Sequence, residues 1–382
     1  MHEKFDIVVG LPSYNEYDSI AKTVRQIDRG LQEYLGNYRA LIVNVDNSPD
    51  EKTKEAFLNT KTRAPKHYIH TKAAHGHKGS NLKKLFSFFL KTDARALAIL
   101  DADLTSSDPV WMKFLFEPVL KKKIDHVFPF YRRHQCDGSI TNFICYPIMV
   151  GVLGRAIRQP IGGEMSFSRK AVANFMRWKW PLSAHRFGID IFMTLCSVFS
   201  GMKLGQVYLG VKRHKPSGPK LNDMFIDVVD TLFAMLRAHK DKWGKKLMLR
   251  EYPILNPAYK QARNGHLEIN ENVLRSWASA SWKDEHAFIE KLLPESNVID
   301  VVKDGVVDSE EWAVILWRFI LSPCSVSSLR LARALRPLYF MRFLSYCASR
   351  PKSYEGSMRV VERQARLIFE NRTRFLSQKT RH

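Results

Sequence analysis

Short apolar runs that end in polar loops, separated by stretches of helical spacing, are what most limits the fold of this sequence. Phe5 to Leu11 is an apolar strand candidate that closes in Pro12-Ser13-Tyr14-Asn15-Glu16. Ser19 to Leu35 then carries Ile20, Val24, Ile27, Leu31 and Leu35 at helical intervals. Ala40 to Val45 is a second strand, ending at Asp46-Asn47-Ser48-Pro49-Asp50. A short strand near His67 to His70 leads to His75-Gly76-His77-Lys78-Gly79, and a helix is expected from about Asn81 to Leu90. Ala94 to Leu100 is a fourth strand that runs straight into Asp101-Ala102-Asp103. Strands alternating with helices predict an α/β fold with a mostly parallel sheet covered on both faces. Such sheets bind ligands at the carboxyl ends of their strands, which is where each of these polar loops falls.

Beyond residue 125 the pattern is mixed. His126 to Phe130 and Gln206 to Val211 read as strands, and Leu221 to Lys240 as a helix with Phe225, Val228, Val229, Leu232 and Leu236 on one face. The chain then turns helical and basic, with a loose connector around 247–266. The expected division is a catalytic domain over 1–240 and a basic, mainly helical region over 241–382.

Composition narrows the partners. The chain has 382 residues, 45% of them hydrophobic and 12% aromatic, enough for a full core and too many for a disordered chain. A formal net charge of +22 points to an anionic partner without saying which. The N-terminal apolar stretch is short and carries Asp6, so it reads as a strand and not as a signal peptide. The longest apolar stretch elsewhere, near Tyr146 to Leu153, is far short of the roughly 20 residues of a spanning helix. The expected location is the cytoplasm, with peripheral membrane contact through basic residues left open. Five cysteines, none in a CxxC pair, are too few and too irregular for a disulfide framework or a cysteine zinc site.

Four patches carry chemistry. In Asp101-Ala102-Asp103 two carboxylates two residues apart follow a buried strand. Magnesium or manganese needs such hard oxygen ligands, and a nucleoside diphosphate needs such a cation. The plain alternative is a turn cap beside a solvated acid. In Gln159-Pro160-Ile161-Gly162-Gly163-Glu164 paired glycines allow close backbone approach to a ligand and Glu164 adds a carboxylate; otherwise it is a turn before a helix. His185-Arg186-Phe187-Gly188-Ile189-Asp190 puts an acid at the head of an apolar helix, where it also suits a helix start. Lys212-Arg213-His214-Lys215 follows a strand and suits a diphosphate, or is an exposed basic turn.

Taken in order, these patches resemble the retaining glycosyltransferases that make glucosylglycerate, glucosyl-3-phosphoglycerate and mannosylglycerate, most nearly the glucosylglycerate synthase group. The resemblance runs from about Phe5 to Ala238 and is carried by Asp137 to Ile148, Arg158 to Ser168 and His185 to Thr194, with an echo at Leu335 to Tyr346. It implies a GT-A fold, a nucleotide-binding α/β sandwich with a DxD motif. It implies that Pro12 and Glu16 hold the nucleoside, that Lys78 contacts the nucleotide, that Asp101 faces the ribose, and that Asp103 and His214 bind the metal. Gly162, Gly163 and Glu164 match the donor-sugar pocket, Asp190 an acid at the reaction centre, and Gly138 and Thr141 a loop for the acceptor carboxylate. There are departures. Ser139 stands where the phosphoglycerate-using relatives have an arginine, which weakens the case for a phosphorylated acceptor. Arg132 and Arg133 remain nearby for a carboxylate. Ser217 stands where a diphosphate-binding basic residue is found, and Lys215 is its expected substitute. A serine that helps hold the base in some members falls near Pro49.

The expected reaction is metal-dependent, retaining hexosyl transfer from a nucleotide-sugar to a small anionic hydroxy acid. UDP-glucose is the first donor and GDP-mannose the second; D-glycerate is the acceptor; Mg2+ or Mn2+ is the cofactor. Glu164 and Asp190 are the candidate catalytic carboxylates, and the resemblance favours attack on the face of departure, with Asp190 orienting hydroxyls. The rival enzyme reading is a phosphorylated, lipid-linked or polysaccharide acceptor at a membrane surface. Nucleic-acid binding rests on charge alone and lacks a recognisable motif. From Arg330 onward thirteen Lys and Arg stand against three Asp and Glu, a surplus outside these motifs. A homodimer is expected from the resemblance, through a tail face of Leu331, Leu335, Leu338 and Phe343.

Overall fold

The structure is a computed structural model that describes residues 4–72, 77–213, 220–244, 247–256, 270–293 and 306–378. It divides into two compact units that interleave along the chain. The first is Met1–Arg132, Ile161–Gly218 and Tyr252–Asn264, and the second is Arg133–Pro160, Pro219–Glu251 and Gly265–His382.

The first unit is built on a sheet of β1 (Ile7–Ser13), β2 (Ala40–Asp46), β3 (Lys66–His70), β4 (Ala96–Ile99), β5 (His126–Arg132), β7 (Met165–Ser168) and β8 (Leu204–Val211). Its order is β3-β2-β1-β4-β7-β5-β8. All pairings are parallel except those of β7, which runs antiparallel to both β4 and β5. β1 is buried along its whole length, as a central parallel strand covered on both faces must be. Helix α1 (Ile20–Leu35) lays Ile20, Val24, Ile27, Leu31 and Leu35 into one core with Trp111, Met112, Leu115 and Phe116 of α4 (Val110–Lys122). The remaining helices of this unit are α2 (Lys52–Asn59), α3 (Lys78–Phe89), α6 (Arg169–Arg177) and α7 (Ile189–Phe199). This is the mostly parallel α/β sandwich that the alternating pattern predicts, and it agrees with the GT-A fold that the resemblance implies. One strand goes unnamed in the sequence reading: β7, Met165–Ser168, follows the turn at 159–164 and fills the gap between β4 and β5. Helix α3 also begins earlier than expected, at Lys78.

Among its described residues the second unit is helical apart from a small parallel pair, β6 (Arg155–Ala156) with β9 (Arg250–Glu251). It contains α5 (Tyr146–Gly151), α8 (Leu221–Ala238), α9 (Lys240–Trp243), α10 (Glu271–Leu292), α11 (Ser309–Ile320), α12 (Ser328–Ser349) and α13 (Tyr354–Gln378). Helix α11 starts in a capping box, with Asp308 accepting from the Glu311 backbone while the Glu311 side chain accepts from the Asp308 backbone. Helix α12 is apolar on several faces and lies against α8 and α10. Leu331, Leu335 and Leu338 are fully buried there and Phe343 nearly so. The four side chains expected to pair two copies are therefore packed inside this chain instead. Among the described residues no helix is long and apolar enough to cross a membrane.

Candidate active site

The end of the sheet where β4, β5 and β8 finish also holds the start of the antiparallel β7, and the pairing register decides what meets there. Ile99 lies opposite Met165, so the two strands continue outward into Asp101 and Gly163. Gly163 has φ +92°, and a Cβ on it would sit 2.5 Å from Asp101 Oδ2, so only glycine lets the two segments close. Glu164 lies between this glycine and β7, and is fully buried.

Two lysines tie the carboxylates together. Lys212, directly after β8, places Nζ 2.9 and 2.7 Å from the Glu164 oxygens, 3.2 Å from Asp101 Oδ2 and 2.9 Å from the Gly162 carbonyl. Tyr131 of β5 donates its hydroxyl to Glu164 Oε2 at 2.5 Å. Lys78 reaches Asp101 Oδ1 at 2.8 Å and Asp190 Oδ2 at 3.4 Å. A lysine in the first turn of a helix opposes the helix dipole, so Lys78 is held by the site and not by helix preference. Its position is set by Gly79, whose N–H donates to the Arg186 carbonyl at 3.1 Å and whose missing side chain leaves room for the Ala184 carbonyl. Asp190, in the first turn of α7, has the favourable dipole end. Its Oδ1 is buried with no hydrogen-bond partner among the described residues.

The charges respond as burial and neighbours dictate. Burial pushes the Asp101 carboxyl up, but Lys78 and Lys212 outweigh it and hold it well below the usual carboxylate range. Burial would lower Lys78, yet Asp101 and Asp190 keep it firmly protonated. Glu164 goes the other way: burial, with Asp101 adding, raises it to about 7 against Lys212 and Tyr131. Burial likewise raises Asp190, opposed by Lys78.

A second network shapes the loops after β1 and β2. Buried Asp46 accepts from Ser13 and Ser48, both at 2.7 Å, and from Tyr68 at 3.0 Å. Asn81 of α3 donates to Asn47 Oδ1 at 2.7 Å. Pro12 is buried in β1, and the Glu16 carboxylate accepts from Ser19 at 2.9 Å.

The structure thus brings Lys78, Asp101, Gly162, Gly163, Glu164 and Asp190 to one place. Asp103 is half-buried in the turn after β4. His214 and Lys215 lie outside the described residues, as do His75, Gly76 and Ser217. Among the described residues no three His, Cys, Asp or Glu side chains gather as a metal site. Arg132 ends β5 in the first unit. Arg133, Gly138 and Thr141 belong to the second unit, where Arg133 lies 3.4 Å from Asp137 and Gly138 takes φ +68°. Thr141 opens a π-helical turn over Thr141–Cys145, a geometry frequent at functional sites. Lys212 and Tyr131 were the residues hardest to single out beforehand. Lys212 was visible only as one cation of a basic run, and Tyr131 alternates like any strand aromatic.

Comparison with solved structures finds the same fold at low identity. A mycobacterial protein is 23% identical, with 60% of this chain and 74% of that chain covered and a TM-score of 0.50. Glucosyl-3-phosphoglycerate synthase from Mycobacterium tuberculosis, in complex with Mn2+, UDP and phosphoglyceric acid, is 22% identical over 60% of this chain and 78% of that one, at a TM-score of 0.49. Mannosyl-3-phosphoglycerate synthase from Rubrobacter xylanophilus is 19% identical, with coverages of 64% and 77% and a TM-score of 0.47. Comparison with curated protein sequences finds no match. The family model of the mannosylglycerate synthase GT domain matches residues 36–237, more than half of the chain and most of the segments that build this site. The chain therefore belongs to the mannosylglycerate synthase GT-domain family and is a glycosyltransferase.

Proposed function

We propose that the chain transfers a hexose, with retention, from a nucleotide-sugar to a small hydroxy acid, with UDP-glucose ahead of GDP-mannose as donor and D-glycerate as acceptor. The catalytic domain in this reading is 1–240. The observation that carries it is the buried cluster of Lys78, Asp101, Glu164, Asp190 and Lys212 at the carboxyl end of the sheet.

The donor set supports a bound cation. Three carboxylates face two lysines here, so the described cluster offers no net positive charge to a diphosphate. Mg2+ is commonly held by one or two carboxylates plus substrate phosphates, and Asp103, with His214, would hold it here. The cation, when bound, offsets the charge that builds on the departing diphosphate. Lys78 and Lys212 stand beside Asp101 to share that load, with Lys215 assigned the same part. Pro12 and Glu16 would border the nucleoside, and Gly162 and Gly163 the sugar.

The two candidate carboxylates separate in role. Both Glu164 oxygens are engaged by Lys212, and one also by Tyr131, in a fully buried position. A nucleophile needs a free oxygen, so Glu164 is proposed to position Lys212. Asp190 has the unpartnered Oδ1, suited to accept a hydroxyl of the sugar or acceptor. This favours attack on the face of departure; isolation of a covalent glycosyl-enzyme by mass spectrometry would overturn it. On the acceptor side Arg132, Arg133, Gly138 and Thr141 are assigned to the carboxylate. The Ser139 hydroxyl is taken by Tyr339 at 2.5 Å, which supports glycerate over a phosphorylated acid.

The test is a donor-by-acceptor matrix with purified protein, Mn2+ and a nucleotide-release readout. UDP-glucose with D-glycerate is expected to exceed every other pair, 3-phosphoglycerate included. No release above donor hydrolysis with any pair would reject the reading.

A further inference from the structure

Two thiols meet in the second unit, far from each other in sequence. Cys136 and Cys347 are both buried, and their Sγ atoms lie 3.7 Å apart. Cys136 sits in the segment that carries Asp137, Gly138 and Thr141, and Cys347 in the last turn of α12. The same segment is already fastened to that end of α12. The Tyr346 hydroxyl donates to the Gln135 carbonyl at 3.1 Å, and Gln135 Nε2 donates to the Lys352 carbonyl at 2.8 Å. The Ser139 and Tyr339 hydroxyls share a further hydrogen bond between the same two segments at 2.5 Å. Nothing in the proposed reaction uses either sulfur.

We propose that Cys136 and Cys347 form a reversible disulfide with hydrogen peroxide as oxidant, locking the 133–142 segment to α12. The Cys136 thiolate attacks hydrogen peroxide and breaks the O–O bond; the proton given up by the thiol goes to the leaving hydroxide, so that the products are the sulfenic acid and water. The Cys347 sulfur then attacks the sulfenic sulfur; the S–S bond forms, the S–O bond breaks, and a second water leaves. Two thiols are oxidised by two electrons and one peroxide is reduced to two waters. A dithiol reductant reverses the step by exchange.

The two sulfurs are unequal in the sense this order requires. The hydrogen bond from Cys347 draws the Cys136 thiol below its ordinary value against burial, with Arg350 helping. The same bond, with burial, pushes Cys347 up. Cys136 is flanked in sequence by half-buried Gln135 and Asp137. Closing the pair from 3.7 Å to a bond of about 2.05 Å moves the sulfurs together by about 1.6 Å. Asp137 and Gly138 adjoin Cys136 and are carried with it. An effect on acceptor binding rests on the function proposed above; formation of the bond does not.

The experiment uses the full chain with Cys324→Ser, which removes the exposed thiol. The folded protein is treated with hydrogen peroxide, alkylated and digested without reduction. The expected product is a peptide pair linked through Cys136 and Cys347, lost on dithiol treatment. Cys136→Ser and Cys347→Ser, each alone, should abolish it. Recovery of both cysteines alkylated, or of Cys136 as a sulfinic acid with Cys347 free, would overturn the proposal. Kinetics on the oxidised protein should show a several-fold higher KM for the acceptor with the donor KM unmoved. An unchanged acceptor KM would remove the acceptor effect. Absence of transfer in both redox states would instead count against the proposed reaction and leave the bond standing.

Discussion

Two sites of buried charge, one in each unit, are built in opposite ways. In the first, Lys78 and Lys212 are ringed by the carboxylates of Asp101, Glu164 and Asp190, so each charge answers another titratable group. In the second, Arg342 is surrounded by neutral acceptors: Gln364 Oε1 at 3.2 Å from Nε, the Val307 carbonyl at 3.1 Å and Ser309 Oγ at 2.8 Å. Arg372 likewise donates to the carbonyls of Val152 and Trp243. A buried cation on fixed carbonyls has one state and holds a helix in place. A buried cluster of acids and bases holds a group that can change protonation, Glu164, and among the described residues it leaves Asp190 Oδ1 without a partner. Frustration of that kind is tolerated where a ligand resolves it.

The largest effect is expected where charge serves only a ligand. Asp103→Ala should reduce transfer by about three orders of magnitude or more and lose Mn2+ binding, as removal of a ligand to a charge-stabilising cation does. The fold should survive, because Asp103 is half-buried and outside the lysine cluster. Full activity of this variant in chelator would break the distinction at its root.

Next comes the cluster itself. Lys212→Met combined with Glu164→Leu replaces the buried pair by apolar side chains as a unit, an exchange that is often neutral or stabilising by about 1–4 kcal/mol, and Asp101 keeps Lys78 as its partner. Transfer should fall by about two orders of magnitude or more while the thermal midpoint stays or rises. A double variant that fails to fold would show that this pair is structural, like its counterparts in the second unit. Arg342→Met is the mirror experiment. It strands buried acceptors and should cost about 2–4 kcal/mol in urea unfolding. Turnover per folded molecule should stay within about twofold of the parent protein. A selective loss of turnover would give this arginine a part in the chemistry.

The contrast also explains what could be read beforehand. Buried strand runs and the helical spacing of Ile20 to Leu35 reflect local period, and local period survives in sequence. Asp101 and Glu164 stood out because each follows or precedes an apolar run with glycine or a second acid beside it. Their meeting depends on the antiparallel β7, whose four residues carry too little pattern to announce a strand. Lys212 was indistinct for the reverse reason: in a run of cations nothing local marks the one that is buried. The apolar residues of α12 suggest a face for a second copy because sequence shows which side chains are apolar, not how many helices pack around them. Cys136 and Cys347, 211 positions apart, have no local signal at all.

The smallest expected effect is also the most direct probe of the coupled cluster. Glu164 is raised to about 7 by burial, with Asp101 adding and Lys212 opposing. Its unfolded value lies near 4.5. The folded state therefore binds this proton more tightly than the unfolded state, the reverse of an ordinary ion-paired carboxylate. Its contribution to stability is complete below about pH 4.5 and is lost as pH rises through about 7. Glu164→Gln stays neutral throughout. Against it, the parent protein should lose ground between about pH 5 and 8, by less than about 3 kcal/mol because Lys212 restrains the shift. Urea unfolding of both proteins at pH 5, 6, 7 and 8 measures the gap. A gap that instead moves in favour of the parent as pH rises would mean that Lys212 keeps Glu164 ionised. The pair would then be a settled ion pair, and the first unit would have lost the feature that sets its buried charges apart.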